Sequence, residues 1–398
     1  MRIAVFDADI TDRHAIGKCQ RRFLAALCDV HEFTVFAVEF DNPRPDRIRW
    51  VRVPALRRPL ALSFLMFHAA APICYAWYRL RGGKRFDCIQ GVEGNLLFGD
   101  ICYAHFCHRV YLREHGRETR GKGLRGLFNR ATNWLHSRVE PFVLRKAKMI
   151  VVPSQGLARE LQAEYAIPES KIRVLPNPVD TARMSAPESF DRSRVRREIG
   201  CRDDDILISF VALGQYERKG LPLLLQAIAS GSTAGKSHVH LVVVGGPDSL
   251  VKTYRRQADS LGLNGNIHFT GYQSDVRPYL WAADLFALPS YYEVFPLVAL
   301  EAASAGLPLL VSRLNGVEEF IRDGENGMIV ERSVPSIEAA LRLFSAISQD
   351  ERRAWGECAR RDVQCYSGDA FVERWSALYR EWEAGARSVQ QQSIHLET

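Results

Sequence analysis

The sequence predicts an α/β protein built from two doubly wound, Rossmann-like domains. Three observations carry that prediction. Short apolar runs and helical stretches follow one another in strict turn, twice along the chain. At 398 residues the chain is too long for one ordinary core and suits two domains. Between the two alternating halves lies a polar, weakly periodic stretch, 180–205, with the composition of a linker.

The first half, 1–179, opens with a strand at Arg2–Phe6, and a polar loop then leads through Gly17 into a helix at Lys18–Cys28. Strands are expected at Glu32–Phe40, Arg49–Val53 and Phe86–Gln90. A turn-rich Gly91–Gly99, a strand from Ile101 and a basic helical region to Lys146 come next. Ser154 ends the strand Lys148–Pro153 and has the side chain to cap a helix through Tyr165. The strand Lys171–Leu175 stops at Pro176-Asn177-Pro178. The second domain, 206–369, begins with the continuously apolar Ile206–Leu213, as expected of a strand covered on both faces. Strands at His238–Val244, Asn266–Phe269, Leu285–Leu288 and Met328–Val330 alternate with helices, two of them at Pro222–Ala229 and Ser249–Leu261. The helix at 370–385 carries Phe371, Trp375, Leu378, Tyr379 and Trp382 largely on one side, so it must bury that side, and it is expected to pack back across the domain junction. The residues 386–398 read as a polar, disordered tail.

Composition narrows the function. A hydrophobic content of 47% with 25% charged residues is that of a folded soluble protein. Nine scattered cysteines read as reduced thiols of a cytoplasmic protein, and the start lacks the features of a signal peptide. The net charge is +7, and 109–148 alone holds eleven Lys and Arg against three Glu. Such a segment attracts phosphate groups, although a solvated helical face has the same composition. The apolar stretch 59–78 is flanked by arginines and contains Ser63, His68 and Pro72. It is expected to be a buried or membrane-touching helix rather than a spanning one. No nucleic-acid-binding signature accompanies the basic segment.

The stretch with most chemistry runs from Leu285 to Ser312. A strand stops at Pro289-Ser290, a loop carries Glu293, and a helix carries Glu301 before a stop at Gly306. Two carboxylates eight positions apart flank the open end of a parallel sheet, where hydroxyl-rich ligands bind, beside a helix N-terminus that favours negative charge. Arg218-Lys219-Gly220 opens another helix after the strand from Ile206. Two cations and a glycine there suit a diphosphate, although Arg-Lys on a loop is commonly plain surface. Gly17 permits an anion or a neighbouring backbone to come close, and Asp100 has the chemistry to hold a hydroxyl or to cap a turn. Cys102, His105, Cys107 and His108 have ligand chemistry but lack a second pair at zinc spacing, so no metal is expected. Dinucleotide, P-loop and nucleophile-elbow motifs are absent.

Together these segments resemble a retaining glycosyltransferase of family 4 with the two-domain GT-B architecture. The resemblance rests on Glu293-x7-Glu301 in its Leu-Pro-Ser…Leu-Glu-Ala…Ala-Gly-x-Pro frame, on Val151-Val-Pro-Ser154…Leu-Pro-Asn177-Pro-Val-Asp180, and on Asn315-Gly316…Asp323-Gly-x-Asn326-Gly327. It covers the chain from Met1 to about Asn326. The N-terminal half, around Phe86–Gly91 and Gly99–Tyr103, is most similar to the lipopolysaccharide core glucosyltransferase I group. The resemblance implies two domains facing a central cleft and a nucleotide-sugar donor, with UDP-linked donors favoured. It also implies no cofactor, no metal and no protein nucleophile. The basic 109–148 and apolar 59–78 segments point to a lipid-linked or polysaccharide acceptor, reached from the cytoplasmic face with peripheral membrane contact through them; the alternatives are a small soluble acceptor and a non-catalytic nucleotide-sugar-binding protein. By the same resemblance Glu301 binds the ribose and Glu293 the donor sugar, while Arg218 and Lys219 neutralise the diphosphate. Gly17 lies near that diphosphate and Asp100 near the reacting sugar. Phe295, Leu297 and Val298 line the donor. Three departures stand out: Val294-Phe295-Pro296 replaces a Gly-Phe-Gly loop, Gln215 replaces an arginine, and Ile16-Gly17 replaces a double glycine. Pro296 has no amide hydrogen to offer.

Overall fold

The computed structural model describes residues 1–56, 60–116, 123–231 and 238–396. The chain divides into two compact units. One comprises Met1–Pro178 together with the segment from Gly368 onward; the other is Val179–Ser367.

In the first unit the strands are β1 (Arg2–Phe6), β2 (Asp9–Ile10), β3 (Glu32–Ala37), β4 (Glu39–Phe40), β5 (Arg49–Arg52), β6 (Cys88–Val92), β7 (Ile101–Tyr103), β8 (Met149–Val152) and β9 (Ile172–Val174). Seven of them form a sheet in the order β5-β3-β1-β6-β7-β8-β9, parallel throughout, while β2 and β4 make a separate two-residue ladder. Alternate residues of β1 serve opposite faces, as a strand requires. Ile3 and Val5 join the core that contains Phe23, Phe33 and Val35, whereas Ala4 and Phe6 join Phe36, Phe67 and Ala71 beneath the helix Leu60–Leu80.

The second unit holds β10 (Ile206–Val211), β11 (Val239–Val244), β12 (Ile267–Gly271), β13 (Leu285–Leu288), β14 (Leu309–Ser312) and β15 (Gly327–Val330), in the order β12-β11-β10-β13-β14-β15 and again parallel. Both units are therefore doubly wound. Each has a strand-order reversal beside its first strand, at β1/β6 and at β10/β13, the point where such sheets open to ligands.

Three segments differ from the sequence reading. The stretch 180–205 is ordered into helices Thr181–Met184 and Arg192–Glu198, capped by the side chains of Asp180 and Asp191. Arg196 of the second is fully buried. It donates to the carbonyls of Ala282, Arg202 and Asp205 and to Asp284 Oδ2 at 3.1 Å, so a polar sequence hides an internal anchor. The final helix runs Gly368–Leu396, through the residues read as a tail, because after Gly385 nothing in that stretch breaks a helix. Its apolar side enters the first unit's core: Trp375 stacks on Phe23 with ring centres 4.4 Å apart, and Tyr379 donates to the buried Gln90 at 2.8 Å. The basic region also departs from plain α-helix near its start. A helical turn at His108–Val110 passes into a π-helical turn at Tyr111–His115, and the helix Gly123–Lys146 follows.

Among the described residues, no helix is long and apolar enough to cross a membrane. All nine cysteines are free thiols.

Candidate functional site

At the β10/β13 reversal, the loops leaving the two strands meet. Gly220 has φ +82°, and a Cβ there would collide with the carbonyl of Pro289, so only glycine lets the first loop lie against the second. The amide of Tyr291 donates to the Arg218 carbonyl at 2.8 Å and completes the junction. Across it, Lys219 Nζ donates to Glu293 Oε1 at 2.5 Å, Arg218 Nη1 reaches the same oxygen at 3.2 Å, and Ser290 Oγ lies 2.9 Å from it. Arg218 is held further by Tyr292 O at 2.5 Å and by Gln215 Oε1 at 2.6 Å. Gln215 adopts φ +54°, a left-handed conformation uncommon outside glycine, which brings its amide to the guanidinium. The departure at this position thus serves Arg218 directly.

Burial opposes ionisation of Glu293, but Lys219 and Arg218 outweigh it and hold the carboxyl below its ordinary range. Burial lowers the Lys219 ammonium, with Glu293 working against that shift and Arg218 with it. One carboxylate between two cations leaves the group with a net positive charge, fixed in place before any ligand arrives.

The helix Leu297–Ser304 begins directly after this loop, with Pro296 at its N-cap. Leu297, Val298 and Glu301 lie on it, each half-buried. Phe295 turns inward: it is buried in the core against Tyr366, and the left-handed Gly316 leaves room for its ring. Ser312 Oγ, at the end of β14, donates to the Ser290 carbonyl at 2.6 Å. The structure therefore brings together Arg218, Lys219 and Glu293, with Leu297 and Val298 beginning the next helix. Ser290 and Gln215 join them. The sequence signal for Ser290 was its place in the Pro289-Ser290 stop directly after a strand.

In the first unit, Gly17 allows its helix to lie against the backbone of Thr11, where a Cβ would clash. Asp100 requires a correction. It precedes β7, at the N-terminal end of that strand. There it accepts from the Ile89 amide at 3.0 Å and pairs with Lys148 at 2.8 Å. The ligand-facing edge at the reversal is occupied instead by Asp7, directly after β1, and by Glu93 and Asn95 after β6. Asn95 Nδ2 donates to Asp7 Oδ1 at 2.9 Å and Gln20 Nε2 to Oδ2 at 2.5 Å. Glu93 has φ +50°. His105, after β7, is 3.3 Å from Asn177 Oδ1, and burial lowers its pKa to about 4, which keeps the ring neutral. Cys102, His105, Cys107 and His108 do not converge: Cys102 bonds the Glu93 carbonyl, while His108 pairs with Glu140.

Burial raises the Asp7 carboxyl to about 7, against the opposing hydrogen bond from Gln20. A folded-state value above the unfolded one, about 3.9, means stability that is complete below pH 4 and lost as pH rises through 7. We expect the Asp7→Asn variant to lose this component. The difference in unfolding free energy between the two proteins, measured by urea titration from pH 4 to 8, should drift in the variant's favour with rising pH. A difference independent of pH would show that Asp7 is ionised throughout.

Comparison with known proteins agrees with this layout. The family model described as Glycosyltransferase Family 4 matches residues 20–183, and that described as Glycosyl transferases group 1 matches 191–362. An uncharacterized glycosyltransferase of Methanocaldococcus jannaschii is 28% identical over 308 residues, 75% of this chain and 76% of its own length. The lipopolysaccharide glucosyltransferase WaaG of Escherichia coli is 28% identical over 54% of this chain and 57% of its own. A D-inositol 3-phosphate glycosyltransferase of Salinispora arenicola is 31% identical over 61% of this chain and 56% of its own. The chain thus spans little more than half the length of the last two. Among solved structures, that of WaaG superposes with a TM-score of 0.72 at 19% identity, covering 94% of this chain and 99% of that one. Anabaena Alr3699/HepE in complex with UDP-glucose gives 0.69 at 17%, covering 96% and 100%. With one family model on each doubly wound unit, the chain belongs to the GT-B glycosyltransferases of the family 4 and group 1 type.

Proposed function

We propose that this glycosyltransferase is a retaining, metal-independent hexosyltransferase. In this reading it moves a sugar from a nucleotide donor, UDP-linked by preference, to a hydroxyl of a glycolipid or polysaccharide intermediate such as a lipopolysaccharide core. The observation that carries the reading is the Glu293–Lys219–Arg218 group at the β10/β13 reversal. Lys219 and Arg218 receive the charge that grows on the departing diphosphate, helped by the N-terminus of the helix Leu297–Ser304. Glu293 aligns the two cations and takes up the donor sugar's hydroxyls, and Glu301 holds the ribose. With cations in place and no protein nucleophile, the departing phosphate deprotonates an acceptor arriving on the same face. Gly17 keeps the first unit's loop close against its own helix. Likeness to structures holding UDP and UDP-glucose supports the donor class.

For the acceptor, two helices of the first unit supply the supporting observation. Leu60–Leu80 exposes Leu62, Leu65, Ile73 and Trp77, and Gly123–Lys146 exposes Leu127, Phe128, Trp134 and Phe142. Arg81 lies over Trp77 and Arg138 over Trp134, a mixture of cation and aromatic suited to an anionic lipid surface at the cytoplasmic face. The similarity to D-inositol 3-phosphate glycosyltransferases favours a second reading, with a small soluble acceptor.

Purified protein incubated with UDP-, GDP- and ADP-sugars, with and without anionic glycolipid vesicles or soluble polyol phosphates, tests these readings through nucleotide release. Release from one UDP-sugar stimulated by vesicles is expected. Stimulation by the soluble acceptor alone selects the second reading. Absence of release from every donor, with no donor binding by calorimetry, overturns both.

A further inference from the structure

The second unit holds another cluster of chemically capable side chains, on the sheet edge opposite the Glu293 group. The turn Cys201–Asp205 leads into the N-terminal end of β10, and His240, on β11, pairs in register with Leu207 beside it. Cys201 Sγ, a carboxylate oxygen of Asp205 and an imidazole nitrogen of His240 lie within 4.8 Å of one another, and all three residues are buried. The first two come from one tight turn and the third from the neighbouring strand, so the fold itself sets their spacing.

Between His240 and Asp205 the spacing is the one a tetrahedral ion needs. His240 Nε2 stands 3.4 Å from Asp205 Oδ2. Two ligand atoms, each roughly 2.0–2.1 Å from a tetrahedral zinc ion, are separated by about 3.4 Å. The other nitrogen of His240, Nδ1, is 3.1 Å from His268 Nε2 on β12, the kind of partner that fixes the tautomer and ring orientation of a metal-binding histidine. The Asp205 carboxylate is oriented in turn by the Arg202 amide at 2.9 Å, by Arg202 Nη2 at 3.2 Å and by His238 Nδ1 at 3.2 Å. The nearby Arg196 guanidinium opposes a second cation, but Asp284 Oδ2, 3.1 Å away, meets its charge. Thiolate, carboxylate and imidazole together select a borderline-soft divalent ion over magnesium or calcium.

We propose that Cys201, Asp205 and His240 form a binding site for a zinc-class divalent cation, with His268 orienting His240. The ion ties the turn before β10 to β11, and with three protein ligands a fourth position is left for solvent. Lying on the opposite edge from Glu293, Lys219 and Arg218, the site stabilises the second unit and takes no part in sugar transfer. Asp205 and His240 are held through an Asp205–His240–His268 chain of contacts, so two of the three ligands stand ready before the ion arrives.

Chelator-treated full-length protein titrated with cobalt(II) tests the site. One equivalent is expected to give visible absorption of tetrahedral intensity and a near-ultraviolet thiolate-to-cobalt band, displaced by zinc and lost in Cys201→Ser. Zinc should raise the melting temperature of the wild type in a concentration-dependent way and leave that of His240→Gln unmoved. Zinc-edge X-ray absorption of the wild type needs no variant and should resolve one sulfur at about 2.3 Å with nitrogen and oxygen at about 2.0–2.1 Å. A shell without sulfur, or no cobalt band at excess metal, overturns the proposal. So does a thiolate band that survives Cys201→Ser, which would place the ion on another cysteine.

Discussion

Replacing Lys219 by alanine is expected to lower kcat for nucleotide-sugar turnover by about 10²–10³, or roughly 3–4 kcal/mol of transition-state stabilisation. Its ammonium sits 2.5 Å from Glu293, on a loop locked against Pro289 by Gly220, and needs no reorganisation when charge develops on the leaving diphosphate. The loss should fall chiefly on kcat, because the interaction strengthens as the bond to the sugar breaks. Lys219→Arg should recover only part of the rate, since a planar fork does not reproduce a point charge in that space. The measurement is steady-state release of nucleotide, with donor affinity followed separately by calorimetry. A Lys219→Ala protein that turns over at the wild-type rate, or that loses only affinity, would remove Lys219 from the chemistry and leave it a binding residue.

The largest stability effect is expected at Arg196. Its side chain has no exposed surface, and its donors satisfy three backbone carbonyls and Asp284. Truncation to alanine leaves those carbonyls and a largely buried carboxylate without their partner, at a cost of about 3–5 kcal/mol. Chemical denaturation followed by circular dichroism checks this. A loss below about 1 kcal/mol would mean that Arg192, 2.5 Å from Asp284, together with solvent, replaces the lost contacts. Donor-site geometry in the same variant should persist in whatever fraction remains folded, because the β10 and β13 loops close at the other end of the sheet.

How much of this was legible before folding depended on the kind of signal. The alternation of apolar strands and helices specified both doubly wound sheets, because a strand covered on two faces has to be apolar throughout. Glu293, Arg218 and Lys219 were legible because each follows a strand end and precedes a helix. Asp100 was misplaced for a related reason: strand polarity decides which edge a loop residue occupies, and Asp100 comes before its strand. By the same rule Asp7, the first residue after β1, was readable as facing the ligand edge. Arg196 was not readable, since its burial follows in part from the Ala282 carbonyl and the Asp284 carboxylate, nearly ninety residues later in the chain. The capping aspartates at 180 and 191 were the only local hint that 180–205 is ordered. The Cys201–Asp205–His240 group crosses between strands and has no spacing signature at all.

The last helix gives the chain an unusual order of completion. Phe371, Trp375, Leu378 and Tyr379 belong to the same core as Ile3, Val5 and Phe23, yet the ribosome adds them only after the entire second unit, Val179–Ser367, has been made. During synthesis the half that begins first is therefore finished last. Its sheet waits with the Phe23 side lacking its aromatic cover until residues 371–379 emerge, so a ribosome that stalls after residue 367 leaves a complete second unit attached to a first unit without that cover.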